Sequence, residues 1–268
     1  MNRPNRREAI AAILALPRLL NLPEGLLERH RLRTVLWPAT CRGISGRGRV
    51  LDDVERHLWP GHSYRSSDVV NWVHEGVHGI SSLVRSRYGG WDAVGACYLV
   101  LRNEAIVIRE PRVPLSQIRQ LVPPSLLDQS TARTYFDNAA WAGHTLYLVD
   151  EFNAYTSGTW AGLENNLARG ESCLYMLQLG VYSLCGLWAT VRAGRLARND
   201  LRQFRGYMSW NWECRVLPML QQSAGTAMES REASAYLARL QQSADAEELR
   251  AFIRSQFGGE WTQCVFRF

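Results

Sequence analysis

The sequence predicts a mainly α (α+β) fold, with a small β-hairpin or sheet and a helical C-terminal half, and three observations carry that expectation. Val70, Val73, Val77, Ile80 and Val84 recur at helical spacing, two short β-rich runs stand together at residues 97–109, and from Thr131 onward the apolar pattern is helical. A chain of 268 residues with 46% hydrophobic content can bury a large core. It divides into a basic segment at 1–25, a region at 26–165 holding the chemically informative residues, and a helical region at 166–268 expected to pack on the same domain.

The opening segment is read as an amphipathic helix with a basic face. Its paired Arg6-Arg7 and the run Ala9–Leu16 faintly resemble a twin-arginine export signal, but Pro17-Arg18 interrupts the run and no small-x-small cleavage site follows. A cytoplasmic location is favoured, with export as the alternative. The first 50 residues hold ten arginines against Glu8, Glu24 and Glu28, more than the whole net charge of +6, so the body is near neutral. Nucleic-acid binding wants a basic face on the folded domain, and that class is set aside. Six cysteines lack any metal-binding spacing and read as free, buried thiols.

Across residues 26–60, Thr34-Val35-Leu36-Trp37 reads as a strand and Gly43, Gly46 and Gly48 as turns. Gly46-Arg47-Gly48-Arg49 is read as loop or hairpin, since it lacks the pattern of a phosphate loop. His57 and His62 are read as surface or capping residues, with a place beside a site as the alternative. Ser66-Ser67-Asp68 then caps a helix that ends at Tyr88-Gly89-Gly90. Two strands follow, Cys97–Arg102 and Ala105–Arg109, forming the candidate edge for an extended partner.

Four prolines between 111 and 124 mark a connector with one short helix at Ser116–Leu121. From Thr131 a helical pattern runs to Tyr155, with Gly158 and Gly162 ending it. On that pattern His144, Tyr147, Glu151 and Tyr155 share one face, and polar groups turned inward need a partner. Ser172–Val191 has no charged residue and is long enough to cross a bilayer, but its polar residues and glycines favour a buried core helix, so no membrane span is expected. Asp200–Gln222, Ser230–Gln242 and Asp245–Phe257 complete the expected helices.

The chemistry concentrates at His74-Glu75-Gly76-Val77-His78. Histidines four apart on a helix point the same way and can reach one Zn²⁺, while Glu75, about 100° round the helix, can hold a water. A catalytic zinc site commonly takes a third protein ligand. Six residues beyond His78 stands Val84, which excludes the metzincin pattern; Glu151, on a polar helix face, is the better candidate than Glu104 or Glu110.

His74-Glu75-x-x-His78 together with Asp150-Glu151-Phe152-Asn153-Ala154-Tyr155 resembles the gluzincins, zinc peptidases with HExxH on one helix and a Glu ligand on a second. The second stretch is similar to that around the third ligand in several bacterial metallopeptidases and in lethal-factor-like toxins. The resemblance covers only these two motifs. It implies a zincin-like catalytic region at 26–165, Zn²⁺ on His74, His78 and Glu151, a polypeptide substrate and Glu75 as general base. It also implies an oxyanion donor among Tyr155, Tyr147 and His144, with Asp150 orienting a histidine ligand. In lethal-factor-like domains a tyrosine stands seven residues before the Glu ligand, where this chain has His144. The alternatives are a zinc amidohydrolase acting on a cell-wall or small amide, or a non-catalytic interaction protein in which the five-residue motif is coincidental.

Overall fold

The helix that carries the two histidines is built as its sequence dictates. In the computed structural model, which describes residues 30–41, 46–62, 64–167, 170–223 and 230–268, the Asp68 side chain accepts the backbone N–H of Val70 and so caps a helix at Val69–Tyr88. Its C-terminus closes on Gly89 at φ 149°, a conformation that favours glycine. Val73, Val77, Ile80 and Val84 lie on its fully buried face. The basic segment at 1–25 and the turn expected at Gly43 lie outside the described residues.

In chain order the elements are β1 (Thr34–Leu36), α1 (Arg49–His57), α2 (Val69–Tyr88), β2 (Val94–Leu99), β3 (Glu104–Arg109), α3 (Leu115–Arg119) and α4 (Gln129–Tyr135). Then follow α5 (Tyr147–Glu164), α6 (Gly170–Ala193), α7 (Arg198–Asn211), a π-helical turn at Trp212–Val216, α8 (Leu217–Ser223), α9 (Arg231–Gln242), α10 (Glu247–Phe257) and α11 (Gly259–Phe266). The protein is mainly helical with one small antiparallel sheet, the expected class. The sheet has the order β1-β3-β2, with Thr34 opposite Ile106 and Val94 opposite Arg109. The hairpin is therefore covered on its β3 side, and β2 packs buried against α2 and α5.

Three local readings are corrected and two further helices are added. The stretch after Gly48 is helical: Val50, Leu51 and Val54 are fully buried, and α1 packs its apolar stripe on α2. His57 is accordingly buried, its Nδ1 2.6 Å from the Asp53 carbonyl, instead of at the surface. The pattern from Thr131 to Tyr155 is broken: α4 stops at Tyr135, a single 3₁₀ turn covers Ala139–Trp141, and α5 begins at Tyr147. Gly158 and Gly162 lie inside α5 and do not end it. C-terminally, α11 is an additional helix.

α5 and α6 form the centre of the helical layer, and α9 and α10 pack on α6. Among the described residues, one helix, Glu171–Ala193, is long and apolar enough to cross a membrane, and 78% of its apolar window is buried within the protein. The π-helical turn projects Arg215 into the interior, where its guanidinium donates to Asn153 Oδ1 (2.9 Å) and Ser157 Oγ (2.8 Å) on the rear face of α5. Burial lowers the Arg215 pKa to about 10. The six cysteines form no disulfide with one another; four are buried, with Cys41 partly exposed and Cys264 exposed.

Candidate metal centre

α2 and α5 approach closely because Gly158 offers no side chain at their crossing. A Cβ there would stand 2.7 Å from the Val70 carbonyl oxygen and 3.5 Å from His74 Cβ. On the other side of α2, Gly76 makes room for Val54 of α1 in the same way. This contact brings residues more than 70 positions apart to one point. The Nε2 atoms of His74 and His78 lie 3.1 Å apart, and Glu151 Oε2 stands 3.6 Å from the first and 3.4 Å from the second. The three side chains are 12%, 20% and 10% exposed, so they are largely withdrawn from water without being sealed.

The donor set fits a divalent ion. Tetrahedral zinc with ligands at about 2.0–2.2 Å separates its donor atoms by roughly 3.3–3.6 Å, close to the three gaps observed. Two imidazoles and a carboxylate are also the ligand types zinc prefers. Among the described residues this is the group of histidine and carboxylate side chains that could hold a metal.

Behind these three side chains, Asp150 Oδ2 accepts a hydrogen bond from His78 Nδ1 at 3.0 Å, which fixes the ring and leaves Nε2 facing Glu151. Arg85 in turn pairs with Asp150 at 3.3 Å, both side chains 4% exposed, and its guanidinium lies 3.4 Å over the Trp91 ring. Burial raises the Asp150 carboxyl, yet the charges of His78 and Arg85 hold it below the usual carboxylate range. Burial and the charge of His78 pull His74 down to about 3. His78 goes the other way: burial lowers it, but Asp150 and Glu151 together hold it well above the ordinary histidine value. The pair thus keeps one positive charge between two carboxylates, a place a metal cation can take.

The centre opens into a cleft of about 450 Å³ lined by helices. Glu75 lines it, partly exposed and next to His74 on α2. The Tyr155 ring meets His74 edge-on at 4.4 Å, and its hydroxyl lies 2.8 Å from that of Tyr135. Tyr147 lines the cleft one helical turn before Glu151 and stacks on Trp141 at 4.8 Å. Burial pushes Tyr155 up to about 12 and Tyr147 higher still, so both hydroxyls keep their protons at neutral pH.

Of the sequence-derived candidates, His74, His78, Glu75, Glu151, Tyr147 and Tyr155 are brought together, and His144 is not. It precedes α5, does not line the cleft, and points Nε2 toward Asp92 at 3.9 Å. Among the described residues no strand residue lines the cleft either, so the hairpin does not serve as its wall. His57 and His62 are likewise outside it. Sequence reading missed Tyr135, Tyr175 and Glu171 as cleft residues. Tyr135 sits at the end of α4 and arrives only through the chain break before α5, a feature that helical periodicity does not register. No family model, curated protein or solved structure matches this chain.

Proposed function

We propose that this chain is a zinc-dependent peptidase with a gluzincin-like ligand arrangement. The observation that supports the reading is the convergence of His74 Nε2, His78 Nε2 and Glu151 Oε2 within 4.8 Å of one another, with Asp150 holding the far nitrogen of His78. His74, His78 and Glu151 would hold the ion, which when bound supplies Lewis acidity and acidifies a water.

The chain's own groups do the rest. Glu75 takes the proton of the attacking water on its carboxylate and passes it to the leaving nitrogen. Tyr155 keeps its hydroxyl proton and donates to the carbonyl oxygen as negative charge develops there, a contribution of about 3 kcal/mol for one well-placed donor. Tyr147, one turn before Glu151 on α5 and stacked on Trp141, is the second cleft hydroxyl that could donate there. Asp150 holds the His78 tautomer, with Arg85 fixing Asp150.

The test is metal content and peptide turnover. Purified protein should carry about one zinc per chain, and Glu75→Gln should keep that zinc while losing hydrolysis of a mixed peptide library. Full hydrolysis by Glu75→Gln, or no bound metal, sinks the proposal.

A further inference from the structure

The charge of the cleft runs against that of the chain. The protein has 31 arginines and a net charge of +6, yet the charged cleft-lining residues other than histidine are Asp68, Glu75, Glu151 and Glu171, with no arginine among the described lining residues. A divalent ion would offset only two of four carboxylates, leaving the cleft net negative. Asp68 is engaged in capping α2, and Glu75 and Glu151 belong to the proposed chemistry. Glu171 is the acid placed for substrate: it is exposed, in the first turn of α6, at the cleft and away from the metal ligands in sequence.

Aromatic rings supply an independent pointer to the same ligand. Tyr175 lies one helical turn after Glu171, on the same face of α6, and also lines the cleft. Its ring stacks on Tyr155 at 5.4 Å and 29°, and Tyr155 in turn lies against His74. A cation over a tyrosine face and beside a carboxylate gains from both the ring quadrupole and the ion pair. An acidic substrate group gains from neither.

We infer that the Glu171–Tyr175 end of the cleft binds a cationic group of the peptide substrate, a guanidinium or ammonium. The inference rests on the peptidase reading and names its substrate class. Two sources share this chemistry: an Arg or Lys side chain, and a free N-terminal amine.

The experiment uses full-length zinc-loaded protein and hexapeptide sub-libraries with one position fixed as Arg, Lys, Leu or Glu, each made with free and with acetylated N-termini. Turnover is measured with the native chain and binding with Glu75→Gln, so that the two are read separately. Arg and Lys sub-libraries, or the free amine, should be preferred over Glu on the order of fivefold, as one half-exposed ion pair with a cation–π contact allows. Acetylation distinguishes the side chain from the terminus. Glu171→Arg should abolish or reverse the preference and Glu171→Gln should reduce it, with zinc content unchanged.

Turnover with no charge preference, or a preference that survives Glu171→Arg, overturns the inference and leaves the peptidase reading standing. Charge-selective binding that depends on Glu171, without any turnover, does the opposite. Binding that ignores charge in a protein without turnover overturns both.

Discussion

Gly158→Ala is the most informative single change, because it separates the helix crossing from the ligands themselves. The added methyl would meet the Val70 carbonyl at 2.7 Å, while ordinary contact starts at 3.4 Å, so α2 and α5 must part by about 0.7 Å. The obstacle is helical backbone, which cannot swing aside as a side chain can. Overpacking of this kind costs about 1–3 kcal/mol, and the better helix propensity of alanine returns about 1 kcal/mol. Global stability should therefore fall by about 0–2 kcal/mol. Metal affinity responds more steeply, since a site needs its donors within about 0.5 Å of the productive geometry. We expect zinc affinity to drop about tenfold or more, read by chelator competition, with urea unfolding measured alongside. Gly143→Ala is the control, because nothing lies within 4 Å of its Cβ position. Unchanged zinc affinity in Gly158→Ala would refute the argument that this crossing sets the donor spacing.

Asp150→Ala should weaken zinc binding by about 10–100-fold through loss of the His78 partner, and should also leave Arg85 as a buried unpaired charge, at about 3–5 kcal/mol. Urea unfolding that shows less than 1 kcal/mol of loss, on the order of a surface pair, would contradict the second part. Glu110 offers a pH signature far from the metal ligands in sequence. Burial raises its carboxyl from 4.5 to about 7, although the N–H groups of Arg112 and Leu146 donate to it. Its folded-state pKa lies above the unfolded one, so the native protein holds the extra proton between these values. The contribution of this carboxyl to stability should therefore be full below pH 4.5 and be lost as pH rises through about 7, by at most about 3 kcal/mol. Glu110→Gln should remove that slope between pH 5 and 8, whatever constant offset it brings, and parallel curves for the two proteins would show the carboxyl is not the source.

The parts of the fold legible in the sequence were those whose hydrogen bonds and packing are local. The Asp68 cap, the valine stripe of α2 and the β2–β3 pairing all announce themselves within about twenty residues. The break between α4 and α5 does not, because it is held by partners some thirty residues earlier in the chain. Thr145 Oγ1 accepts from the Val113 N–H and donates to the Val113 carbonyl, and Glu110 takes the Leu146 N–H. Those partners hold residues 145 and 146 outside any helix continuing from Tyr135, and this is why His144 leaves the polar stripe. Glycine misled in the other direction. A glycine in a helical run reads as a stop, whereas Gly158 is there for the neighbour it admits. α1 was hidden by Asp53 and His57, polar residues whose burial is met by partners: Asp53 Oδ2 accepts the Tyr98 hydroxyl and the Leu101 N–H, and His57 Nδ1 meets the Asp53 carbonyl. In the site, the candidate group His74, His78 and Glu151 was legible from type and spacing, while the acid and rings of α4 and α6 that shape the cleft carry no local signature.

The π-helical turn at Trp212–Val216 makes chain length, more than residue identity, the constrained quantity there. Each residue of an ordinary helix advances its successor by about 100°, so deleting one residue from the turn would swing Arg215 off the bearing that takes it to Asn153 and Ser157. Local geometry would gain from such a deletion, because the shorter turn winds more comfortably. What it would forfeit is the anchor behind Glu151, some sixty positions upstream, so the tail of the molecule keeps time for its middle.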